Sequence, residues 1–144
     1  MLVRIIDELD RSGRVELPHL RAISYGGAKM PQTVIERAME LLPEVDFTNA
    51  YGLTETSSTI TVLTPEDHRN AAGSDDPSVR RRLASLGTAL PSVQIEIRDE
   101  LGRALAPGEW GEIHVRGEQI SGEYLDQGSR LGDEGWFPTR DRGS

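Results

Sequence analysis

The chain has 144 residues, about the length of one domain, with 36% hydrophobic and 28% charged residues and a net charge of −8. No apolar run approaches the ~20 residues of a membrane span, and the start of the chain lacks the regions of a signal peptide. The chain has no cysteine, which excludes disulfides, thiolate metal sites and thiol catalysis. The acidic balance argues against a general nucleic-acid binder, which would carry a basic face. We therefore expect a cytoplasmic protein with no membrane span and no nucleic-acid partner.

The first third of the chain predicts a βαβ unit. An amphipathic helix precedes it, with an apolar stripe formed by Leu2, Ile5, Ile6 and Leu9. No capping residue comes before this helix, as if the sequence began inside a larger fold. The unit itself consists of a strand over residues 20–25, a helix between Pro31 and Pro43, and a strand over residues 45–50. Strands joined through a helix are expected to be parallel, with a right-handed crossover.

Two loops follow the carboxyl ends of these strands, where ligands of parallel sheets bind. One is glycine-rich and covers residues 26–29, and the other begins at Tyr51. The Tyr51 ring can stack on a base, and Gly52 allows close approach of the backbone. The Thr54 hydroxyl can hold phosphate oxygens, and the Glu55 carboxylate can share a Mg²⁺ ion with them. This chemistry predicts a nucleotide-phosphate site; the alternative is an ordinary strand end with a Thr/Ser-rich turn.

The middle of the chain predicts a short strand and a polar connection. Residues 58–63 are β-prone, and residues 65–84 resemble a surface excursion. His68 has no second metal ligand nearby in sequence, which argues against a metal role. We expect the run Arg80-Arg81-Arg82 to be a solvated loop or helix end.

From residue 85 onward the pattern predicts an antiparallel meander, because apolar and polar residues alternate over 93–97 and 111–116 between tight turns. His114 falls on the outward phase and is expected at the surface. The tail around Trp136 shows no closing element. The fold class is thus α/β, with a parallel-sheet portion followed by an antiparallel meander, and the expected division is 1–64, 65–84 and 85–144.

Four segments in order resemble motifs of the adenylate-forming superfamily, which comprises acyl- and aryl-CoA synthetases, luciferase-like enzymes and peptide-synthetase adenylation domains. The segments are Ser24-Tyr25-Gly26-Gly27-Ala28-Lys29-Met30, Asn49-Ala50-Tyr51-Gly52-Leu53-Thr54-Glu55-Thr56, residues 108–117, and Gly135-Trp136-Phe137-Pro138-Thr139-Arg140-Asp141. By this resemblance the meander belongs to a distorted β-barrel subdomain. The resemblance also implies that a carboxylic acid reacts with ATP to give an acyl-adenylate and pyrophosphate, and that the acyl group then passes to coenzyme A or a carrier protein.

The resemblance also implies roles for individual residues. Gly27, Ala28 and Lys29 would line the adenine and acyl pocket, Asn49 and Ala50 would touch the adenine edge, and Tyr51 would stack on its face, with Gly52 in the same nucleotide-binding loop. Thr54 and Glu55 would be the catalytic pair, Thr54 holding the α-phosphate and Glu55 binding Mg²⁺, while Asp141 would take both ribose hydroxyls.

Two departures from the family pattern limit these expectations. Arg140 stands where the family usually has glycine, between Thr139 and Asp141. Neither the family's phosphate loop nor its C-terminal catalytic lysine is found in residues 1–144, and Lys29, the only lysine among the 16 basic residues, cannot replace them. We therefore expect an internal fragment of an AMP-forming acyl-CoA synthetase, without turnover in isolation. A role in fatty acid metabolism is expected, although long-chain, medium-chain and aryl acids all remain open as substrates. One alternative is a peptide-synthetase-type adenylation domain, although such domains more often have proline at the position that Leu53 occupies here. The other is a non-catalytic remnant or interaction module.

Overall fold

The computed structural model describes residues 1–13, 17–121, 123–124, 128–129 and 131–144. In chain order its elements are α1 (Leu2–Ser12), β1 (Ala22–Gly26), α2 (Gln32–Leu41), β2 (Asp46–Leu53), β3 (Ser58–Leu63), α3 (Pro65–Ala72), α4 (Pro77–Arg80), β4 (Thr88–Ala89), β5 (Val93–Arg98), β6 (Gly111–Gly117), β7 (Glu123–Tyr124), β8 (Gly128–Ser129) and β9 (Phe137–Gly143). Short 3₁₀ helices cover Thr54–Thr56, Arg81–Ala84 and Asp133–Gly135. No helix in the part of the chain that the structure describes has the length and apolar composition of a membrane span.

The strands form two larger sheets and one hairpin. Strand order in the first sheet is β1-β2-β3-β4, the second sheet has the order β5-β6-β9, and β7 pairs with β8. The chain separates into two compact units, Met1–Tyr51 with Thr61–Thr88 and Gly52–Ile60 with Ala89–Ser144.

The first unit confirms the predicted βαβ order, because β1, α2 and β2 follow one another and β1 pairs with β2 in parallel. Pro31 caps the start of α2 in extended conformation, and the helix ends just before Pro43. The core of this unit is formed by Leu2, Ile6, Leu9, Tyr25, Ile35, Ala38, Leu42, Phe47, Ala71 and Leu83. Ile5 differs from the predicted stripe, since 40% of it is exposed.

Residues 65–84 differ from the surface excursion that their polar composition predicts. A capping box starts α3, in which the Thr64 hydroxyl accepts from the Asp67 amide at 3.2 Å and the Asp67 carboxylate accepts from the Thr64 amide at 3.0 Å. The helix then buries His68 completely, and Leu83 is almost as fully enclosed. The segment therefore contributes to the core, and its polar residues form only the outer face.

The three-arginine run is also more structured than predicted. Arg80 ends α4, and its guanidinium pairs with Glu36 of α2 at 2.5 Å and donates to the Ala72 carbonyl at 3.0 Å. Arg81 and Arg82 are exposed, as expected for a helix end.

The second unit confirms the predicted antiparallel meander. β5 pairs with β6 from Val93↔Gly117 to Arg98↔Glu112, and β6 pairs with β9 on its other side. The tail that was expected to lack a closing element therefore supplies the third strand. Within the described residues of this unit, the three-stranded sheet does not close into a barrel.

One face of this sheet carries an aromatic ring that two guanidinium groups contact. Trp136 is 3% exposed, and the guanidinium carbons of Arg98 and Arg116 lie 4.6 and 4.7 Å from its ring centroid. His114 is not at the surface as predicted: only 15% of its side chain is exposed. Its position on the polar phase of the strand did not predict this, because neighbouring side chains cover that face.

Candidate functional site

In the first unit the structure brings the predicted glycine-rich loop and Tyr51, the first residue of the second predicted loop, to one edge of the sheet. In the parallel register Tyr25 lies opposite Asn49 and Gly26 opposite Ala50, so that Gly27 directly follows β1 and Tyr51 is the next residue of β2. Strand β2 continues to Leu53, so Tyr51 lies within the strand, whereas the sequence predicted that it follows the strand. A Cβ atom on Gly26 would lie 2.2 Å from the Ala50 carbonyl oxygen, which explains why this close approach requires glycine. The register therefore places Gly27 and Tyr51 at the same edge of the parallel pair, as the sequence predicted for these two residues.

Side chains at this edge differ in exposure. Gly27, Ala28 and Lys29 are exposed, with Gly27 at φ +76°. Asn49 is only 9% exposed, and its side-chain amide donates to the Ser85 carbonyl at 3.2 Å. Tyr51 is half-buried. Gly27, Ala28 and Lys29 therefore form a solvent-exposed rim, whereas the Asn49 side chain is hydrogen-bonded to Ser85 of the same unit.

A buried pair that the sequence did not reveal lies just before this rim. The Tyr25 hydroxyl is 2.7 Å from Nε2 of His68, and Nδ1 of His68 is 2.8 Å from the Thr64 carbonyl oxygen. Because a carbonyl only accepts, Nδ1 donates to Thr64, Nε2 accepts, and the Tyr25 hydroxyl is the donor. Burial raises the pKa of Tyr25 to about 12 and lowers the pKa of His68, chiefly by desolvation. Both side chains are therefore neutral and fix the end of β1.

The burial of His68 predicts a pH dependence of stability. The unfolded chain binds a proton at His68 near pH 6.5, whereas the folded chain does so only at lower pH, so the free energy of unfolding falls as pH drops below that value. His114, whose pKa is also lowered mainly by desolvation, adds a loss of the same sign. We expect at most about 1.4 kcal/mol per pH unit for each histidine. Urea unfolding between pH 5 and 7.5 measures how the free energy of unfolding depends on pH. A free energy that stays constant down to pH 5 would contradict the lowered pKa of the histidines. A His68→Gln variant should lose less stability per pH unit than the wild type.

The predicted phosphate and metal residues belong to the second unit. Thr54 is exposed and Glu55 half-buried in the 3₁₀ helix Thr54–Thr56. Thr56 is fully buried; its hydroxyl accepts from the Leu53 amide at 2.9 Å and lies 2.8 Å from the Ser58 carbonyl oxygen. This local network joins Leu53 and Ser58 through the Thr56 side chain.

The same loop contains unfavourable backbone conformations. Ser57 has φ +52° and Ser58 has φ +98°, both in the region that side chains other than glycine rarely adopt. A Cβ atom on Gly52 would lie 1.6 Å from the Ser58 carbonyl oxygen. The turn that carries Thr54 and Glu55 is therefore tight and depends on contacts from outside it.

Glu55 fits the role of a magnesium ligand in one respect. Among the described residues, no three His, Cys, Asp or Glu side chains lie close enough together to hold a metal ion by themselves. Mg²⁺ is commonly bound by one or two carboxylates together with substrate phosphates and water. Glu55, which follows Thr54 in the 3₁₀ helix, supplies one carboxylate of the kind that this pattern requires.

Asp141 lies on β9, another element of the second unit, where its amide donates to the Thr139 hydroxyl at 3.1 Å. That hydroxyl in turn donates to the Ile113 carbonyl at 2.8 Å. The adjoining surface forms an open cleft of about 230 Å³, lined by Arg98, Asp99, Glu100, Glu112, Arg140 and Arg142. Asp141 is exposed, which a ligand-binding carboxylate requires.

Arg140 adopts the backbone conformation expected of the glycine that it replaces, with φ +66°. An Arg140→Gly variant is expected to raise the free energy of unfolding by about 1 kcal/mol, because glycine reaches this region without a Cβ clash. The Arg142→Gly variant is the matched control on the same strand; its φ is not positive, and a loss of about 0.5–1 kcal/mol is expected there. Urea denaturation compares them, and destabilisation by Arg140→Gly would contradict the conformational argument.

Comparison with known proteins adds a family match. The family described as "AMP-binding enzyme" matches residues 1–125. The 4-coumarate–CoA ligase-like 6 protein of Oryza sativa subsp. japonica is 28% identical over 145 residues, covering 97% of this chain and 22% of the relative. A hybrid PKS-NRPS synthetase of Botryobasidium botryosum is 33% identical over 125 residues, covering 85% of this chain and 7% of the relative. The chain thus spans less than a quarter of the length of either.

A solved structure agrees with the fold. The o-succinylbenzoate CoA synthetase of Bacillus subtilis, in complex with the acyl-adenylate intermediate OSB-AMP, superimposes with a TM-score of 0.74 at 27% identity. The alignment covers 98% of this chain and 27% of the synthetase.

Proposed function

Because the chain belongs to the family of AMP-binding enzymes, we propose that it forms part of an AMP-forming carboxylic acid–CoA ligase and supplies the adenine and magnesium portions of its site. The observation that carries the proposal is the shared edge of β1 and β2, where the exposed glycine loop follows β1 and Tyr51 lies on the neighbouring strand. The rest of the enzyme would supply the remaining groups. In isolation the 144 residues are expected to bind nucleotide without releasing pyrophosphate.

In the proposed first step a carboxylate oxygen of the acid attacks the α-phosphorus of ATP, and the bond to pyrophosphate breaks. The Tyr51 ring would hold the adenine by stacking. The Thr54 hydroxyl would donate to an α-phosphate oxygen, on which charge increases in the transition state. Asp141 would accept from the ribose hydroxyls, and Gly27, Ala28 and Lys29 would form the pocket wall.

Glu55 would hold Mg²⁺, which when bound neutralises phosphate charge. In the proposed second step the thiol of coenzyme A attacks the acyl carbonyl, and AMP leaves. A cytoplasmic location and a fatty or aryl acid as substrate remain part of this proposal.

A peptide-synthetase-type adenylation domain is the second candidate, and the similarity to the hybrid PKS-NRPS synthetase favours it. Leu53 and the run of hydroxyl residues at 56–58 favour the CoA ligase instead, since proline is commoner at the Leu53 position in peptide synthetases. The acceptor distinguishes them in the complete enzyme: free coenzyme A is consumed by the first and a carrier-protein thiol by the second.

The binding proposal is tested by calorimetric titration of AMP into the chain. Tyr51→Ala is expected to weaken AMP binding by about 1–3 kcal/mol, because stacking on the base is lost, whereas Tyr51→Phe should bind as the wild type does. Trp110→Ala is the control, since it removes an aromatic ring that is 63% exposed and outside the predicted site. Unchanged affinity in a folded Tyr51→Ala variant would show that the ring only packs, and no binding by the wild type would refute the nucleotide site.

A further inference from the structure

We propose that Gln119 is a positioning residue, which fixes the loop carrying Thr54 and Glu55 in the shape required for magnesium and phosphate binding. The proposal rests on the proposed function for its consequence, although the contacts themselves are independent of it. No sequence motif singled out Gln119; it lies within the turn that follows β6.

The side-chain amide of Gln119 uses both of its donors and its acceptor within the second unit. Nε2 donates to the Thr56 carbonyl at 2.9 Å and to the Thr59 carbonyl at 2.8 Å. The Ser92 hydroxyl donates to Oε1 at 3.1 Å. Because both backbone partners are carbonyls, only the orientation with the NH₂ group toward the loop satisfies them.

The backbone around Gln119 adds two more contacts to the same loop. The Ser57 hydroxyl donates to the Gln119 carbonyl at 2.8 Å, and the Ser121 amide donates to the Glu55 carbonyl at 3.1 Å. Four hydrogen bonds from residues 119–121 thus reach residues 55, 57, 56 and 59. One of them ends on the backbone of the proposed magnesium ligand.

This arrangement matters because the loop does not hold its shape by local preference. Ser57 and Ser58 both have positive φ, each costing free energy that surrounding contacts must offset. Carbonyls of Thr56 and Thr59, on either side of these residues, accept from the one Nε2 atom. Gln119 therefore joins the two ends of the unfavourable turn and thereby sets where Thr54 and Glu55 project.

A Gln119→Glu variant tests the proposal because it keeps the size and shape of the side chain. It replaces the donating NH₂ group by a carboxylate oxygen that faces two carbonyls. The matched control is Gln94→Glu on β5, where Oε1 accepts from Arg116 at 2.8 and 2.6 Å and a carboxylate serves at least as well. Both variants therefore carry the same change of charge within one unit.

Amide hydrogen exchange is the first readout. In Gln119→Glu we expect exchange over residues 53–60 to accelerate about tenfold or more, while β5 and β6 keep their protection to within about twofold. In Gln94→Glu neither region should change. Unchanged exchange over 53–60, or equal acceleration throughout the unit, would overturn the proposal, the latter because it indicates a general structural role.

Nucleotide binding is the second readout. Gln119→Glu should weaken binding of a non-hydrolysable Mg²⁺·ATP analogue about fivefold or more, and leave adenosine binding, which depends on Tyr51, within about twofold of the wild type. Equal weakening of both ligands would overturn the proposal. If the wild type binds no nucleotide, the proposed function fails, while the exchange measurement still decides whether Gln119 fixes the loop.

A second variant covers the case in which Gln119→Glu does not fold. Ser92→Ala removes the donor to Oε1 and leaves the loop residues untouched. It should accelerate exchange over 53–60 about two- to fivefold, and no change would overturn the proposal.

Discussion

Replacement of Gly52 by alanine is expected to lower the free energy of unfolding by about 4 kcal/mol or more, among the largest effects of a single substitution. The added Cβ would lie 1.6 Å from the Ser58 carbonyl oxygen and 2.9 Å from Cα of Thr59. Both are backbone atoms, so no side-chain rotation relieves the overlap, and the turn itself must open. The midpoint of urea unfolding measures the loss.

The control for this variant is Gly132→Ala. Gly132 has φ −75°, and the nearest atom to a Cβ there, the Trp136 carbonyl oxygen, is 3.4 Å away. Its free energy of unfolding should change by no more than about 0.5 kcal/mol. A Gly52→Ala variant within about 1 kcal/mol of the wild type would show that the turn tolerates a different path.

Replacement of His68 by alanine is the second large effect, with an expected loss of about 3 kcal/mol or more. The side chain is completely buried, its ring packs edge-on against Tyr25 at 5.7 Å between ring centroids, and the Phe47 ring lies 6.5 Å away. The substitution leaves a cavity in the core and a buried Tyr25 hydroxyl without its acceptor. Thermal and urea unfolding measure the loss.

Two further variants separate these contributions. Tyr25→Phe removes the hydroxyl but leaves the packing, and should cost only about 1–2 kcal/mol because Nε2 of His68 loses its donor. His19→Ala, at an exposed position, should change stability by less than about 0.5 kcal/mol. If His68→Ala behaved like His19→Ala, the buried hydrogen-bonded pair would have no role in stability.

The parts of the fold that depend on local pattern could be predicted from sequence. Strand β1, helix α2 and strand β2 have clear periodicity and proline boundaries, and their parallel order follows from the connection through a helix. The edge shared by Gly27 and Tyr51 follows from that order. The alternation in β5 and β6 likewise predicts the antiparallel pairing.

Features that depend on distant partners could not be predicted. His68 lies in a polar stretch, and its burial depends on Tyr25, 43 positions earlier in the chain. Gln119 contacts the Thr56 carbonyl 63 positions away. A single sequence carries no signal for either pairing, and the positive φ of Arg140 contradicts the usual preference of an arginine.

The position of Lys29 has a practical consequence. It is the chain's only lysine, and its side chain is exposed at the carboxyl edge of β1 and β2. Apart from the amino terminus, an amine-reactive fluorophore therefore has one attachment point, which lies on the rim of the proposed adenine pocket. A dye placed there without any substitution would report occupancy of that pocket through its emission.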